Sequence, residues 1–487
     1  MTERGDPFAA SRYTPLDSYS PQRRTALVLT GTGADGAYHA GVLRALHEAG
    51  VKIDLIGARG VGVVGALFAA VDGAQRLWEE HGFWRSVWTP SLYGWRRIPK
   101  LIAWALALSL AIVVLPLALA AAGLIVFPID FVLKMIGAGG APAVLDAYLR
   151  TMQAAFAPEA LPTWLPRLVL LVLGFAGVVA LASGWMWTRR HHRGAPWWQA
   201  VRGPISSTDI VERCWQVLWD LIRGAASVKA PSRADLGRRY TEMLAENIGQ
   251  PGFRELLVVV HDVDAHRDLL FALVAESRRS HLVRRSTTEA AEARRAEVFD
   301  LSGVARDHLA DAVAAALTLP LASEWHTVTF PAEGYWRGET HRLCDRPASL
   351  IRLVDELIDL GAEQMIVVSA APQTLGPHAL AAARLDGRGR LGDYLQSSEA
   401  AVVSDATNTT GGVRIFTIRP AHNPIGPFDF GGGYDDRSHR RFGVPELVNA
   451  GYEDAYHQFI EPVVGASGET VSSRQSSVAS QSRQPSV

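Results

Sequence analysis

A glycine-rich turn near the start of the chain has the residue types of an anion-binding loop. Residues 31–36 read Gly-Thr-Gly-Ala-Asp-Gly. The aliphatic run Thr25–Thr30 before the turn predicts a buried strand, and the apolar spacing after it predicts a helix. Such a turn points backbone N–H groups at a negatively charged ligand. The candidate contacts are Gly31, Thr32, Gly33 and Gly36.

The letters of this turn also satisfy G-x-G-x-x-G, the pattern of dinucleotide-binding folds. Asp54 follows about twenty residues later, at the distance expected of a ribose ligand. In those folds the acid closes the second strand, whereas Asp54 opens it and so lies at the wrong edge of the sheet. A tight turn without a ligand is a further interpretation, because a single glycine motif is a weak signal.

A second turn of small residues follows the next predicted strand. Residues 58–62 read Ala-Arg-Gly-Val-Gly and lead into the small-residue helix Val63–Ala70. The two turns together resemble the patatin-like phospholipases, whose glycine loop continues into a helix beginning Gly-Ala-Tyr and whose nucleophile lies in a G-x-S-x-G elbow. The resemblance aligns Ala58 and Gly62 with the two glycines of that elbow and Gly60 with its serine.

The resemblance implies a lipid acyl hydrolase in which the loop amides form the oxyanion hole. A serine hydrolase needs a hydroxyl on the elbow for its base to deprotonate. Glycine suits the backbone angles of such a turn but carries no hydroxyl. Asp35 stands where the family usually has a basic residue, and a carboxylate repels a developing oxyanion. We therefore expect Gly60 and Asp35 to impair ester hydrolysis.

The same resemblance places the family's second catalytic residue at Asp345. The matching region is followed by the predicted helix Leu350–Leu360 and the predicted strand Gln364–Ser369. Arg346 and Pro347 replace the small residues that follow the aspartate in the family. Capping of the next helix is the alternative role for Asp345.

Four potential metal ligands lie close together after another apolar run: His261, Asp262, Asp264 and His266. Side chains this close in sequence do not all converge on one ion without further partners. A buried strand running into a polar loop explains them with fewer assumptions, so we expect no metal and no cofactor.

Two apolar runs, Leu101–Phe127 and Leu168–Trp187, predict a transmembrane hairpin. A helix as long as the first run reaches about 40 Å, enough to cross a bilayer with tilt. Basic residues lie at the two ends of the pair: Arg96, Arg97 and Lys100 before it, and Arg189, Arg190 and Arg193 after it. The positive-inside rule then predicts a two-pass protein of the inner membrane, with the Met135–Pro166 loop outside and the α/β domain in the cytoplasm. Two buried core helices are the alternative.

These signals divide the chain into six segments. They are a flexible leader (1–24), the first part of the α/β domain (25–95), the hairpin (96–193, with spans at about 101–127 and 168–187), a helical connection (194–250), the second part of the domain (251–464) and a disordered tail (465–487). The formal net charge of −1 gives no reason to expect a nucleic-acid partner. Cys214 and Cys344 are too far apart in sequence to suggest a disulfide framework.

The fold expected from the resemblance is α/β, a three-layer sandwich with a central, mainly parallel sheet, interrupted by a two-helix transmembrane hairpin. The leading hypothesis is a catalytically impaired patatin-like protein that binds acyl lipid, phospholipid or a protein partner at the membrane. One alternative is an active lipid acyl hydrolase with a displaced nucleophile among Thr30, Thr32 and Ser369. The other is a membrane-tethered dinucleotide-binding protein.

Overall fold

A computed structural model describes most of the chain. The described residues are 19–94, 97–136, 142–157, 166–175, 203–283, 296–373, 387–409, 412–435 and 437–465, with a few isolated positions between them. The chain divides into two compact units, one formed by Met1–Gly94 with Ser206–Val487 and the other by Trp95–Ile205.

The strands are β1 (Thr25–Thr30), β2 (Leu55–Ala58), β3 (Glu255–Asp262), β4 (Arg267–Leu273), β5 (Val298–Asp300), β6 (His326–Thr329), β7 (Thr340–Cys344), β8 (Gln364–Ser369), β9 (Arg414–Ile418), β10 (Gly433–Asp435) and β11 (Arg440–Phe442). The helices are α1 (Asp35–Glu48), α2 (Gly62–Ala69), α3 (Gln75–Trp78), α4 (Arg97–Met135), α5 (Pro142–Ala155), α6 (Pro166–Phe175), α7 (Thr208–Arg223), α8 (Arg233–Asn247), α9 (Glu276–Val283), α10 (Leu309–Ala316), α11 (Ser349–Asp359), α12 (Gly387–Thr409), α13 (Val444–Ala455) and the π-helical α14 (Tyr456–Val464).

Within the described residues, nine strands form one mixed sheet. Seven follow the order β5-β4-β3-β2-β1-β8-β9, and β7 joins β6 to β3. The centre is parallel: β1 pairs with β2 and β8, β2 with β3, and β8 with β9. Because β1, β2 and β8 run in the same direction, the turns that follow them all emerge at one edge of the sheet.

Helices cover both faces of the central strands. Val28 and Leu55 belong to the core that packs against α11. On the other face, Leu29 lies so close to α2 that a Cβ atom on Gly65 would be 2.7 Å from its Cδ1 atom. Both faces of β1 are buried, in agreement with its unbroken apolar sequence. The molecule therefore has the three-layer α/β arrangement that the resemblance implied.

The described part of the predicted leader is packed against the sheet. Tyr19 is 1% exposed, and its hydroxyl accepts a hydrogen bond of 2.8 Å from the Lys52 amide. The side chain of Gln364 donates to the Ser20 carbonyl at 2.7 Å. Residues 19–24 thus belong to the α/β unit, because Tyr19 buries an aromatic ring there. The rest of the leader, 1–18, and residues 466–487 of the predicted tail lie outside the described residues.

The second unit contains α4, α5 and α6. Over the described residues, one helix is long and apolar enough to cross a membrane, with its candidate span at Leu117–Met135, later than the predicted 101–127. The second predicted span, Leu168–Trp187, includes most of α6, an apolar helix that is shorter than a membrane span. Residues 183–187 of that predicted span lie outside the described part of the chain. The stretch predicted as an external loop contains α5. The two-pass topology stays a prediction.

Candidate active site

The glycine turn after β1 is closed by groups of the protein itself. The Thr32 amide donates to Asp35 Oδ2 at 2.8 Å, and the Ala34 amide donates to the Pro427 carbonyl at 2.8 Å. Gly33 has a φ of +61°, and a Cβ atom there would lie 2.1 Å from the same Pro427 oxygen. Of the four predicted anion contacts, Thr32 therefore has an amide that is already hydrogen-bonded within the protein, and so has the neighbouring Ala34.

The elbow after β2 contains Gly60 at a φ of +53°, in the left-handed region that favours glycine. A Cβ atom on Gly60 would lie 2.2 Å from the carbonyl oxygen of Gly31. The same oxygen accepts a hydrogen bond of 3.0 Å from the Val61 amide. The Gly31 carbonyl thus fills the place from which a nucleophilic side chain would extend.

The flanking elbow positions are also tightly packed. Ala58 ends β2 and is fully buried. A Cβ atom on Gly62 would lie 2.1 Å from the Leu29 carbonyl oxygen, so only glycine allows α2 to begin this close to β1. Gly36, at the start of α1, is equally confined, because a Cβ atom there would lie 2.2 Å from the Trp84 ring.

Asp345 follows β7 and lies beside the elbow. Its Oδ2 atom would be 2.9 Å from a Cβ atom on Gly60. Helix α11 begins without a side-chain cap, so the capping role is not observed. Burial raises the pKa of Asp345 to about 6, and the Arg59 guanidinium and the Thr32 hydroxyl are among the groups that oppose this rise. The structure therefore brings Gly31, Gly60 and Asp345 together.

Arg59 and Glu399 complete the site and were not predicted from the sequence. Arg59 is fully buried, and its guanidinium lies 2.6 Å from Glu399 Oε2 and 3.5 Å from Asp345 Oδ2. Glu399 comes from α12, and its other oxygen accepts a hydrogen bond of 2.5 Å from the Thr30 hydroxyl. In the sequence Arg59 was only the spacer of the elbow motif. The sequence contains only a weak sign of the role of Glu399, namely that this acid directly precedes the small apolar run 400–403.

The buried centre has three carboxyl groups facing one guanidinium. Burial raises the pKa of Asp35 to about 7, with the Thr32 amide opposing and Glu399 adding to the rise. His39 is fully buried, and burial lowers its pKa to about 4 while its Nε2 atom lies 3.1 Å from the Thr30 carbonyl. The His39 side chain is therefore neutral at pH 7, and the Asp35 carboxyl is protonated in about half of the molecules at that pH.

Asp35 gives the protein a measurable pH dependence. Its folded-state pKa of about 7 exceeds the ordinary 3.8, so the folded protein holds a proton that the unfolded chain releases. This contribution is complete below pH 3.8, and it is lost progressively as the pH rises from there through about 7. We expect wild type to lose about 1.4 kcal/mol of unfolding free energy relative to Asp35→Asn between pH 6 and 8. Chemical denaturation at both pH values measures it, and parallel pH profiles would contradict the assignment.

The three hydroxyls considered as displaced nucleophiles do not lie on an elbow. Thr30 and Ser369 are fully buried at the ends of β1 and β8, and the Ser369 hydroxyl accepts a hydrogen bond of 3.3 Å from the Ala371 amide. Thr32 lies in the glycine turn and is 4% exposed. Of the three, Thr32 is the one whose hydroxyl lowers the pKa of Asp345.

The remaining two interpretations find little geometric support. Asp54 Oδ2 accepts a hydrogen bond of 2.9 Å from the Thr25 amide at the start of β1, so it lies at the edge opposite the glycine turn. The acidic and histidine side chains near the end of β3 pair with different neighbours: His261 with Asp268 and Asp262 with His341. In the part of the chain that the structure describes, no group of three or more His, Cys, Asp or Glu could hold a metal ion.

Known proteins match a short part of this chain. Patatin-like phospholipase domain-containing protein 6 from Mus musculus is 46% identical over 68 residues, 14% of this chain and 5% of its own length. Lysophospholipase nte1 from Aspergillus fumigatus is 50% identical over 48 residues, 10% of this chain and 3% of its own. The Caenorhabditis elegans patatin-like phospholipase domain-containing protein ZK370.4 is 52% identical over 44 residues, 9% and 3%.

These partial homologues support the patatin-like phospholipase family. The matches span only 3–5% of the length of those relatives, which are named as phospholipases and lysophospholipases. No family model matches the chain. The crystal structure of VipD from Legionella pneumophila aligns over 90% of this chain and 67% of its own at 11% identity, with a TM-score of 0.27 that is too low to compare folds. Over the part of the chain that they match, the relatives suggest a lipid hydrolase family.

Proposed function

We propose that this chain is a patatin-like protein that binds lipid or a protein partner at the membrane without serine-type ester hydrolysis. The observation that carries the proposal is the position of the Gly31 carbonyl oxygen, 2.2 Å from where a side chain on Gly60 would begin. Nucleophilic catalysis needs a hydroxyl at this position, positioned against a base. Here a backbone carbonyl occupies that space.

The hydrogen bonds of the glycine turn support the same conclusion. An oxyanion hole needs N–H groups that are free to donate when charge develops on the substrate. The amides of Thr32, Ala34 and Val61 instead donate to a carboxylate and two carbonyl groups of the protein. Binding an oxyanion at the predicted Thr32 contact would require breaking its hydrogen bond to Asp35 and placing the oxyanion next to that carboxyl.

The base position is altered as well. The guanidinium of Arg59 lies between Asp345 and Glu399, where it stabilises both carboxylates in the protein interior. The Arg346 side chain, in place of a small family residue, is directed to Asp268 at 2.8 Å. These contacts make Asp345 part of a buried ion-pair network that keeps the fold together.

Attachment to the membrane is supported by α4. The helix is 39 residues long, and Leu124 and Ile125 within its candidate span are 79% and 65% exposed, unlike the side chains of a core helix. The proposed topology is the two-pass one, with the α/β unit in the cytoplasm. Membrane pellets washed with alkaline carbonate should retain the full chain, and its release into the wash would contradict the proposal.

Lipid turnover by the purified full chain tests the lack of hydrolysis. In nanodiscs containing phosphatidylcholine and lysophosphatidylcholine, fatty-acid release by wild type should equal that by Asp345→Asn and by empty nanodiscs. The variant keeps the size of the side chain and removes the charge of the dyad position, so it is the matched control. Release by wild type that falls at least about a hundredfold in Asp345→Asn would show working acyl chemistry and overturn the proposal.

The second candidate function is an active hydrolase that uses Thr32. The favouring observation is that the Thr32 hydroxyl, in the glycine turn, is among the groups that lower the pKa of Asp345. In this case Thr32→Val, which removes the hydroxyl and keeps the shape, would abolish fatty-acid release. If wild type releases no fatty acid, the candidate function as a Thr32 hydrolase is contradicted, and the Thr32→Val comparison is not needed.

A further inference from the structure

A cleft beside α7 lies away from the altered active site. It has a volume of about 500 Å³ and lies between the exposed side of α7 and the start of α8. The side chains that matter to its chemistry are Glu212, Trp215, Trp219, Asp220, Arg223 and Arg233. We refer to it as the α7 cleft.

Two tryptophans provide its apolar surface. Trp215 is 2% exposed, and its indole N–H has no hydrogen-bond acceptor among the described residues. Trp219 is half-buried one turn further along α7. A buried indole N–H normally finds a partner, so the Trp215 N–H is an unused donor among the described residues. Tryptophan faces attract organic cations, with ammonium groups as the best-known case.

The charged side chains around the tryptophans leave one acid and one base unpaired. Arg223 Nε donates to Asp220 at 2.9 Å, which neutralises that pair. Glu212 and Arg233 have no ion-pair partner in the part of the chain that the structure describes, and both are exposed. The Glu212 carboxylate and the tryptophan rings of the cleft can therefore bind a cation. The Arg233 guanidinium can bind a phosphate group.

The cleft lies close to the point where the chain leaves the α/β unit. The Ser206 amide donates to the Gly94 carbonyl at 3.0 Å, so the departing and returning segments meet there. Helix α7 begins two residues later, at Thr208. A neighbouring groove shares Glu212 with the cleft and is lined by Trp88, which is 66% exposed. Exposed tryptophan next to a membrane segment is typical of the interfacial region of a bilayer.

We propose that the α7 cleft binds the headgroup of a zwitterionic phospholipid. The ammonium group lies between Trp219 and the Glu212 carboxylate, and the phosphodiester accepts hydrogen bonds from Arg233. One acid and one base match a headgroup with one charge of each sign, whereas an anionic headgroup leaves Glu212 without a partner and repelled. The proposal shares membrane attachment with the proposed function and does not depend on whether the active site hydrolyses esters.

Native mass spectrometry of the full chain in detergent tests the cleft. Phosphatidylcholine and phosphatidylglycerol with identical acyl chains are added at equal concentration, and the fraction of lipid-bound protein is compared. We expect wild type to prefer phosphatidylcholine, Glu212→Gln to weaken that lipid about tenfold, and Trp219→Leu to weaken it about fivefold. Arg233→Gln should weaken both lipids. Fatty-acid release is measured in the same samples. Release would contradict the proposed function, whereas a lost lipid preference without release would contradict only the cleft proposal.

Glu246→Gln and Arg239→Gln are the matched controls, since both residues are exposed on α8 and neither lines the cleft. They should bind both lipids as wild type does. Equal binding by wild type and all cleft variants, or no preference for phosphatidylcholine in wild type, would overturn the proposal. Inorganic phosphate that displaces phosphatidylcholine as well as soluble phosphocholine does would also overturn the proposal, because that result would show a simple anion site.

Discussion

Gly60→Ser will not create an active serine hydrolase, and it will destabilise the fold. The left-handed backbone at a φ of +53° costs a residue with a Cβ atom about 1–2 kcal/mol. The contact of 2.2 Å with the Gly31 carbonyl adds about 1–3 kcal/mol, because the glycine turn must move away. That movement also breaks the hydrogen bond from the Val61 amide. Denaturation of the full chain in mild detergent measures the loss.

Gly224→Ser is the matched control for this prediction. Gly224 has a φ of +56°, yet a Cβ atom there would meet nothing within 4 Å. Gly224, with a ψ of −127°, therefore carries a backbone cost without the steric contact, and we expect a loss of about 1–3 kcal/mol. Equal losses in the two variants would show that the Gly31 carbonyl does not fill the elbow. Fatty-acid release that appears in Gly60→Ser would show that the site needs only a hydroxyl to work.

Replacement of Arg59 by Met will cost about 3–5 kcal/mol, because it leaves the Asp345 and Glu399 carboxylates in the interior without a cation. Arg59 is the guanidinium that contacts both of them, and it is fully buried. The loss should be smaller at pH 5 than at pH 8, because protonation neutralises the uncompensated carboxyl groups. Chemical denaturation at the two pH values measures both effects.

Two further variants separate charge from packing in the Arg59 prediction. Arg59→Met combined with Glu399→Gln removes one of the stranded charges and should recover part of the stability lost in Arg59→Met. Arg239→Met, on the exposed face of α8, should change the unfolding free energy by less than about 0.5 kcal/mol. A double variant that is no more stable than Arg59→Met would show that Arg59 contributes by packing alone.

The sequence was sufficient to predict β1, α11 and β8, whose observed bounds lie within one residue of the predicted ones. Thr25–Thr30 is a strand because its β-branched and aliphatic side chains are buried on both faces, a pattern that the sequence shows directly. Gly31 comes directly after this strand, whereas the placement of Gly60 came from the family motif. The placement of Asp345 came from the family motif, and in the structure it lies beside Gly60.

The sequence did not predict what closes the site. Glu399 and Pro427 are more than 300 residues from the glycine turn, and no local pattern shows that they return to it. Asp35 was expected to repel an oxyanion, whereas in the structure it also accepts the Thr32 amide and so closes the turn. The bounds of the apolar helix α4 were difficult to predict for a related reason, because uniformly apolar runs do not mark where a helix begins or ends.

The most direct test of the central claim is labelling of the purified full chain by a fluorophosphonate probe, followed by mass spectrometry of the peptides. A fluorophosphonate reacts with an activated hydroxyl and needs no knowledge of the natural lipid. We predict no labelling of residues 30–62 or 369 in wild type, with an active patatin-like hydrolase labelled in parallel. A probe adduct on Thr30, Thr32 or Ser369 that disappears in Asp345→Asn would contradict the claim.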